Sequence, residues 1–178
     1  KKDAGSIYID GKEVEIHSPT DAINHGIAYV PEDRKTQGLI LNWTVRENMT
    51  LSQLKRISQR GLINFQEEER VAQEYVRSLD IKTPSTRQRV MYLSGGNQQK
   101  VVVAKWLMSN PRILILDEPT RGIDVGAKSE IYALMSRLAK QGLGIMLISS
   151  ELPEILGMSD RIIVMREGRI TGELDRQS

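Results

Sequence analysis

Two short apolar runs, "ILIL" at 113–116 and "IMLI" at 145–148, flank a stretch of helical periodicity. In that stretch Ala127, Ile131, Leu134, Met135 and Leu138 recur at the spacing of one helix face. Asp124 stands where an N-cap is wanted and Gly142 where the helix must stop. Strand, helix and strand at this spacing form a βαβ unit, which requires a parallel sheet. A third run, "IIVM" at 162–165, is bounded by charges in the same way. All three read as buried strands of a sheet covered on both faces.

The rest of the chain has a different texture. "SIYIDGKEVEI" is two strands around an Asp-Gly turn, and "GIAYV" at 26–30 is a strand ending at Pro31. Residues 44–93 are more polar and mostly helical, with Val71, Ala72, Tyr75, Val76 and Leu79 on one face. Gln66 to Arg70 read as a solvated helix start, and 82–90 as a polar connector. "RIIVMREGRITGEL" reads as a second hairpin turning at Glu167-Gly168. The expected organisation is therefore a partial β-rich core segment over 1–43, a helical subdomain over 44–93, and an α/β half-core over 94–178.

Composition narrows the chemistry. A length of 178 residues suits one domain with a sizeable core. Twenty-five Lys plus Arg against 23 Asp plus Glu leave a net charge of +2, which gives no support to nucleic-acid binding. The chain has no cysteine, so disulfides and thiolate chemistry are excluded. Its apolar runs fall far short of the ~20 residues that cross a bilayer.

In "RILILDEPTRGID" the apolar strand ends in adjacent carboxylates, Asp117 and Glu118. The C-terminal edge of a parallel sheet is where such folds place ligands. One acid there can hold hydrated Mg²⁺, and a second can polarise a water for attack on a phosphate. A strand followed by "DE" alone marks only a surface strand end; the following Pro119-Thr120 and Asp124 make the pattern specific. In "LSGGNQQKVVVAKWLM", two glycines open a helix despite costing roughly 1 kcal/mol each against alanine. Ser94 is the N-cap, and Gly95 and Gly96 leave bare N–H groups at the positive end of the helix dipole, a site suited to phosphate. Asn97 and Gln98 add neutral donors.

"LSGGNQQKV" resembles the signature motif of ATP-binding-cassette (ABC) ATPases, and "ILILDEPT" resembles their Walker B strand. "RGID" is similar to the D-loop, "LISSE" stands in place of the switch loop, and "IAYVPEDR" in place of the Q-loop. The resemblance spans nearly the whole chain. The set "PEDRK", "VRENM", "SGGNQQK", "DEPTRGIDVGAK" and "SSELPE" is similar to the C-terminal cassette of bacterial ribose, galactose and xylose importers.

That resemblance implies an α/β fold with a partial P-loop NTPase-type parallel sheet, an antiparallel hairpin region and a helical subdomain. It implies ATP and Mg²⁺ as cofactors, shared with a second nucleotide-binding cassette of the same polypeptide. Ser94, Gly95, Gly96, Asn97 and Gln98 would face the γ-phosphate of ATP held by that partner, with Asp124 communicating across the interface. Asp117 and Glu32 would lie at Mg²⁺, and Glu118 and Ser150 would be catalytic. The implied partners are membrane permease subunits, contacted by the helical segment, and indirectly a sugar-binding protein, with no nucleic acid. The implied location is the cytoplasmic face of the bacterial membrane.

The sequence departs from the family pattern in three ways. It contains no G-x-x-x-x-G-K-S/T, the Walker A motif, which suggests a chain that begins after it. Ser150 replaces the switch-loop His, and Glu32 the Q-loop Gln. These changes point to a cassette that serves its partner's site more than its own. Two other functions compete: a soluble cassette acting on nucleic acid or ribosomes, and a non-catalytic interaction or regulatory module. His17 and His25 read as loop or turn residues, Trp106 as packing, and Lys82, Arg87 and Arg89 as solvated cations.

Overall fold

The computed structural model describes residues 4–59 and 61–175. The chain opens on a hairpin, β1 (Ile7–Ile9) and β2 (Lys12–Val14). It turns at Asp10 and Gly11, both at positive φ (51° and 73°), as a two-residue hairpin turn matched to strand twist requires. Helix α1 (Pro19–Asn24), capped by Ser18, leads to β3 (Ile27–Val30). A π-helical turn, Arg34–Gly38, follows, its start capped by Asp33, which accepts from the amides of Lys35 and Thr36.

The 44–93 stretch comprises α2 (Val45–Thr50), α3 (Leu54–Ile57), a small hairpin β4 (Ser58–Gln59) and β5 (Leu62–Ile63), and α4 (Phe65–Ser78). The small hairpin is too short to leave a periodic trace in the sequence. Val71, Ala72 and Leu79 are buried as expected, with Tyr75 and Val76 packed beside them. The lead-in to α4 differs from its expected solvation at one position. Glu68 is buried, accepts from Thr50 Oγ1 at 3.0 Å and pairs with Arg46 Nε at 3.0 Å. A carboxylate can be buried there because both its neighbours are donors.

Helix α5 (Gly95–Leu107) is the axis of the molecule, with every residue from Gly96 to Lys105 buried. Its lysines tie it to segments on either side of it in the chain: Lys100 Nζ donates to Asp80 O and to Glu130 Oε2, both at 2.8 Å. Lys105 Nζ donates to Gly38 O at 2.5 Å, and burial pulls its pKa down. Next come β6 (Ile113–Asp117), α6 (Val125–Lys140), β7 (Gly144–Ile148), α7 (Leu152–Met158) and the hairpin β8 (Arg161–Arg166) and β9 (Arg169–Asp175).

The βαβ reading holds: β3, β6 and β7 form a parallel sheet in that order, with Val30, Leu116 and Leu147 in register. Ala28, Val30, Leu114 and Leu116 are buried in a cluster that also takes in Val45 and Met49 of α2, Val71 of α4, Val101 and Val102 of α5, and Ile131, Leu134, Met135 and Leu138 of the α6 stripe, while Ala127 lies outside it against Gly96. One continuous core thus runs through the helical stretch and the sheet. Two strand expectations are corrected. The sheet is not covered on both faces, since Tyr29, Met146 and Ile148 are each about half exposed. The run 162–165 lies outside the parallel sheet. It pairs antiparallel with β9 around Glu167 and Gly168, and Ile163, Val164 and Met165 are exposed. A continuous apolar run has no phase, so it cannot say which sheet a strand joins or which face is covered.

Candidate functional site

The C-terminal end of β6 carries Asp117 and Glu118. Tyr29, one strand over, donates its hydroxyl to Asp117 Oδ2 at 2.8 Å, and that bond raises the phenol's pKa. Glu118 has φ 43°, left-handed backbone that costs a non-glycine residue about 1–2 kcal/mol. Three bonds hold it there: its amide donates to Ile148 O at 2.8 Å, its carbonyl accepts from Arg121 N at 3.0 Å, and its Oε1 accepts from Ser150 N at 2.7 Å. Strain over-determined in this way clusters at functional sites. Ser150 thus meets Glu118 through its main chain, a contact that leaves the identity of its side chain open.

The loop carrying Ser150 is fastened from behind. Lys128, in the first turns of α6, donates to both carboxylate oxygens of Glu151 at 2.5 and 2.6 Å. Ser149 Oγ accepts from Glu151 N at 3.0 Å and donates to Glu154. Asp124 caps α6, accepting from Ala127 N at 3.0 Å.

At the start of α5, Ser94 is the cap and accepts from the Asn97 side-chain amide at 2.9 Å. Asn97 and Gln98 are turned inward: Asn97 Oδ1 accepts from Lys82 N at 2.8 Å, and Gln98 Nε2 donates to Val90 O at 3.0 Å. They hold the helix start in place instead of presenting free amides. The glycines also have a reason inside the fold. A Cβ on Gly96 would lie 2.6 Å from Ala127 Cβ, and one on Gly95 would lie 2.9 Å from Arg34 Nη2. Bare backbone lets α5, α6 and Arg34 meet at this point. The amides of Gly95 and Gly96, in the first turn, have no intrahelical acceptor. Beside them Ser94, Gly96, Asn97, Asp124, Lys82 and Glu130 line a cavity of about 240 Å³. The helix-end amides and the serine hydroxyl suit a phosphate group, whereas Lys82 is already paired with Glu130 and the carboxylates of Asp124 and Glu130 share the lining.

Glu32 lies against Arg121 as an ion pair. It does not join Asp117 and Glu118 in a cluster, and among the described residues no three of His, Asp and Glu converge on a metal-sized site. Asp117 alone, at the end of β6, offers carboxylate oxygens of the kind a Mg²⁺ ion takes. Two participants escaped the sequence reading. Arg34 is buried and donates to Arg121 O at 2.7 Å and Gly122 O at 2.9 Å. Lys128 holds Glu151. Neither partner stands at a helical or strand spacing, so no periodic signal announces them. Among the described residues no helix is long and apolar enough to cross a membrane.

The ABC transporter family profile matches residues 1–121. The chain is 59% identical over 178 residues to the ribose import ATP-binding protein RbsA of Caldanaerobacter subterraneus subsp. tengcongensis, covering 99% of this chain and 36% of that protein. It is 60% identical over 169 residues to the xylose import ATP-binding protein XylG of Thermoanaerobacter pseudethanolicus, covering 95% of this chain and 34% of that protein. It thus spans about a third of the length of these relatives. Among solved structures, an ATP-binding cassette in a dimeric post-hydrolysis state bound to ADP and Pi superposes with a TM-score of 0.78 at 23% identity, over 99% of this chain and 75% of that one. A nucleotide-free cassette of an ABC transporter superposes with a TM-score of 0.81 at 23% identity, over 98% and 71%. With the fold, the strained carboxylate at the end of β6 and the glycine-opened α5 in agreement with these likenesses, the chain belongs to the ABC transporter family.

Proposed function

We propose that this chain is part of the ATP-binding subunit of a bacterial sugar importer, working peripherally at the cytoplasmic face of the membrane. The observation that carries this reading is 59–60% identity, along nearly the whole chain, to ribose and xylose import ATP-binding proteins. The partners are permease subunits, a second cassette and, indirectly, a sugar-binding protein.

Ser94 and the amides of Gly95 and Gly96 bind the terminal phosphate of ATP held by the second cassette, with Asn97 and Gln98 bracing the helix start. Asp117 would hold Mg²⁺, and the ion would supply charge neutralisation on the phosphates. Glu118, pinned by Ser150 N, accepts the proton of the attacking water. Asp124 sits on the loop that reaches towards the partner. Glu32 is engaged by Arg121 and would be available to a metal only with that pair open. The 178-residue chain alone does not hydrolyse ATP, and phosphate release from MgATP by the purified chain would overturn that statement.

The cassette's main contribution is to its partner's site. In the intact transporter, Gly95→Ala lowers sugar uptake more than tenfold, whereas Glu118→Gln lowers it less than threefold. Equal losses from the two substitutions would sink the asymmetric assignment.

A further inference from the structure

Three loops that the sequence keeps far apart meet at one side chain. Arg34 opens the π-helical turn after β3, and π-helical turns are rare and concentrate at functional sites. Arg34 is 8% exposed, and the only carboxylate acting on its charge is that of its chain neighbour Asp33, with no salt bridge among the described residues. Its charge is met by the carbonyls of Arg121 and Gly122, at 2.7 and 2.9 Å, in the loop after β6. The same Nη2 that bonds Gly122 lies 2.9 Å from where a Gly95 Cβ would stand, at the first turn of α5. Glu32, two residues earlier, grips the side chain of Arg121, so the loop is held both by its main chain and by its surface.

A planar, always-charged fork presents two donors in a fixed geometry to two successive carbonyls, whereas a lysine ammonium carries its donors on one atom at the end of a flexible stem. A buried cation is costly unless its hydrogen bonds are kept, so the turn at 34–38 and the loop at 120–124 are tied by bonds, while the first turn of α5 is packed against the same guanidinium and leaves a gap if it stays behind.

We propose that Arg34 is a positioning residue that makes the loop after β3, the loop at 120–124 and the first turn of α5 move together. A shift at residues 32–38 then reaches both the helix start and Asp124 without passing through the sheet. The consequence for catalysis rests on the ATP reading above; the mechanical linkage does not.

Two measurements test it on the native full-length polypeptide. The first is ATP turnover with the permease present. Arg34→Lys lowers kcat at least tenfold and leaves KM for ATP within twofold, because the phosphate-binding groups persist while their alignment is lost. Unchanged kcat, or kcat and KM deteriorating together with the melting temperature, would overturn the proposal. The second needs neither variant nor ATP: native-state hydrogen exchange of the wild type against denaturant. The hydrogen-bonded amides of Asn97, Gln98, Arg121 and Ile123 open as one unit, with a common denaturant dependence. Separate openings would overturn the linkage even if Arg34→Lys fails to fold. A wild type that exchanges as one unit but turns over no ATP removes the functional reading and leaves the linkage standing.

Discussion

The main-chain amide of Ser150 donates to Oε1 of Glu118 at 2.7 Å. Because the donor is backbone, the bond is indifferent to what side chain residue 150 carries. Ser150→Ala and Ser150→His should leave stability within about 0.5 kcal/mol of wild type. Ser150→Pro deletes the donor to a carboxylate on strained backbone and should cost about 1–3 kcal/mol. Denaturant unfolding of the three variants checks this; a Ser150→Ala loss as large as that of Ser150→Pro would refute it.

Gly96 lets α5 pack directly on Ala127 of α6, with 2.6 Å between the alanine Cβ and the one glycine lacks. Gly96→Ala should destabilise by about 1–3 kcal/mol through overpacking, since neither helix start can move away freely. Ala127→Gly in the same chain should restore part of it. A double-mutant cycle should give a coupling above about 0.5 kcal/mol, and simple additivity would show that the two positions do not constrain each other.

Glu130 lies between Lys100 Nζ at 2.8 Å and Lys82 Nζ at 3.0 Å, and these bonds lower its pKa from 4.5 to about 2. The folded-state value is depressed, so the stabilisation is complete above the unfolded value and fades as pH falls from 4.5 to about 2. With the carboxylate 39% exposed and screened, Glu130→Gln should cost about 1–2 kcal/mol near neutrality. The gap between variant and wild type should close over that acid window. A gap independent of pH from 7 to about 2 would contradict the ion-pair origin.

Thr44 and Glu47 form a reciprocal cap on α2: Thr44 Oγ1 accepts from Glu47 N at 3.2 Å, and Glu47 Oε2 accepts from Thr44 N at 2.8 Å. Thr44→Ala should cost about 1 kcal/mol, and Glu47→Gln less, because an amide oxygen can still accept. Thermal melts ranking the two the other way would refute the cap as the source.

Much of the scaffold was legible because it is set by near neighbours. The hairpin turns follow from Asp10-Gly11 and Glu167-Gly168, residue pairs able to take positive φ. Helix α6 follows from its Asp124 cap, its apolar stripe and Gly142 at φ 93°. The candidate site was legible in outline: Asp117 and Glu118 do end a parallel strand, and Ser94 does cap the glycine-opened helix. The burial of Glu68 was not, because its partners Arg46 and Thr50 belong to another helix.

The sequence by itself determined the turns, the caps, the βαβ unit and the order of the motifs, since φ preference and capping act over a few residues. Tertiary structure alone decided what those motifs touch. It placed Ala127 against Gly96, turned Asn97 and Gln98 inward, joined Glu32 to Arg121 and put Arg34 beneath two loops. The physical reason is range. Each of these contacts closes a loop of the chain, from eight residues for Gln98 and Val90 to about ninety for Arg34 and Gly122. No local preference records which distant surface will come to rest there.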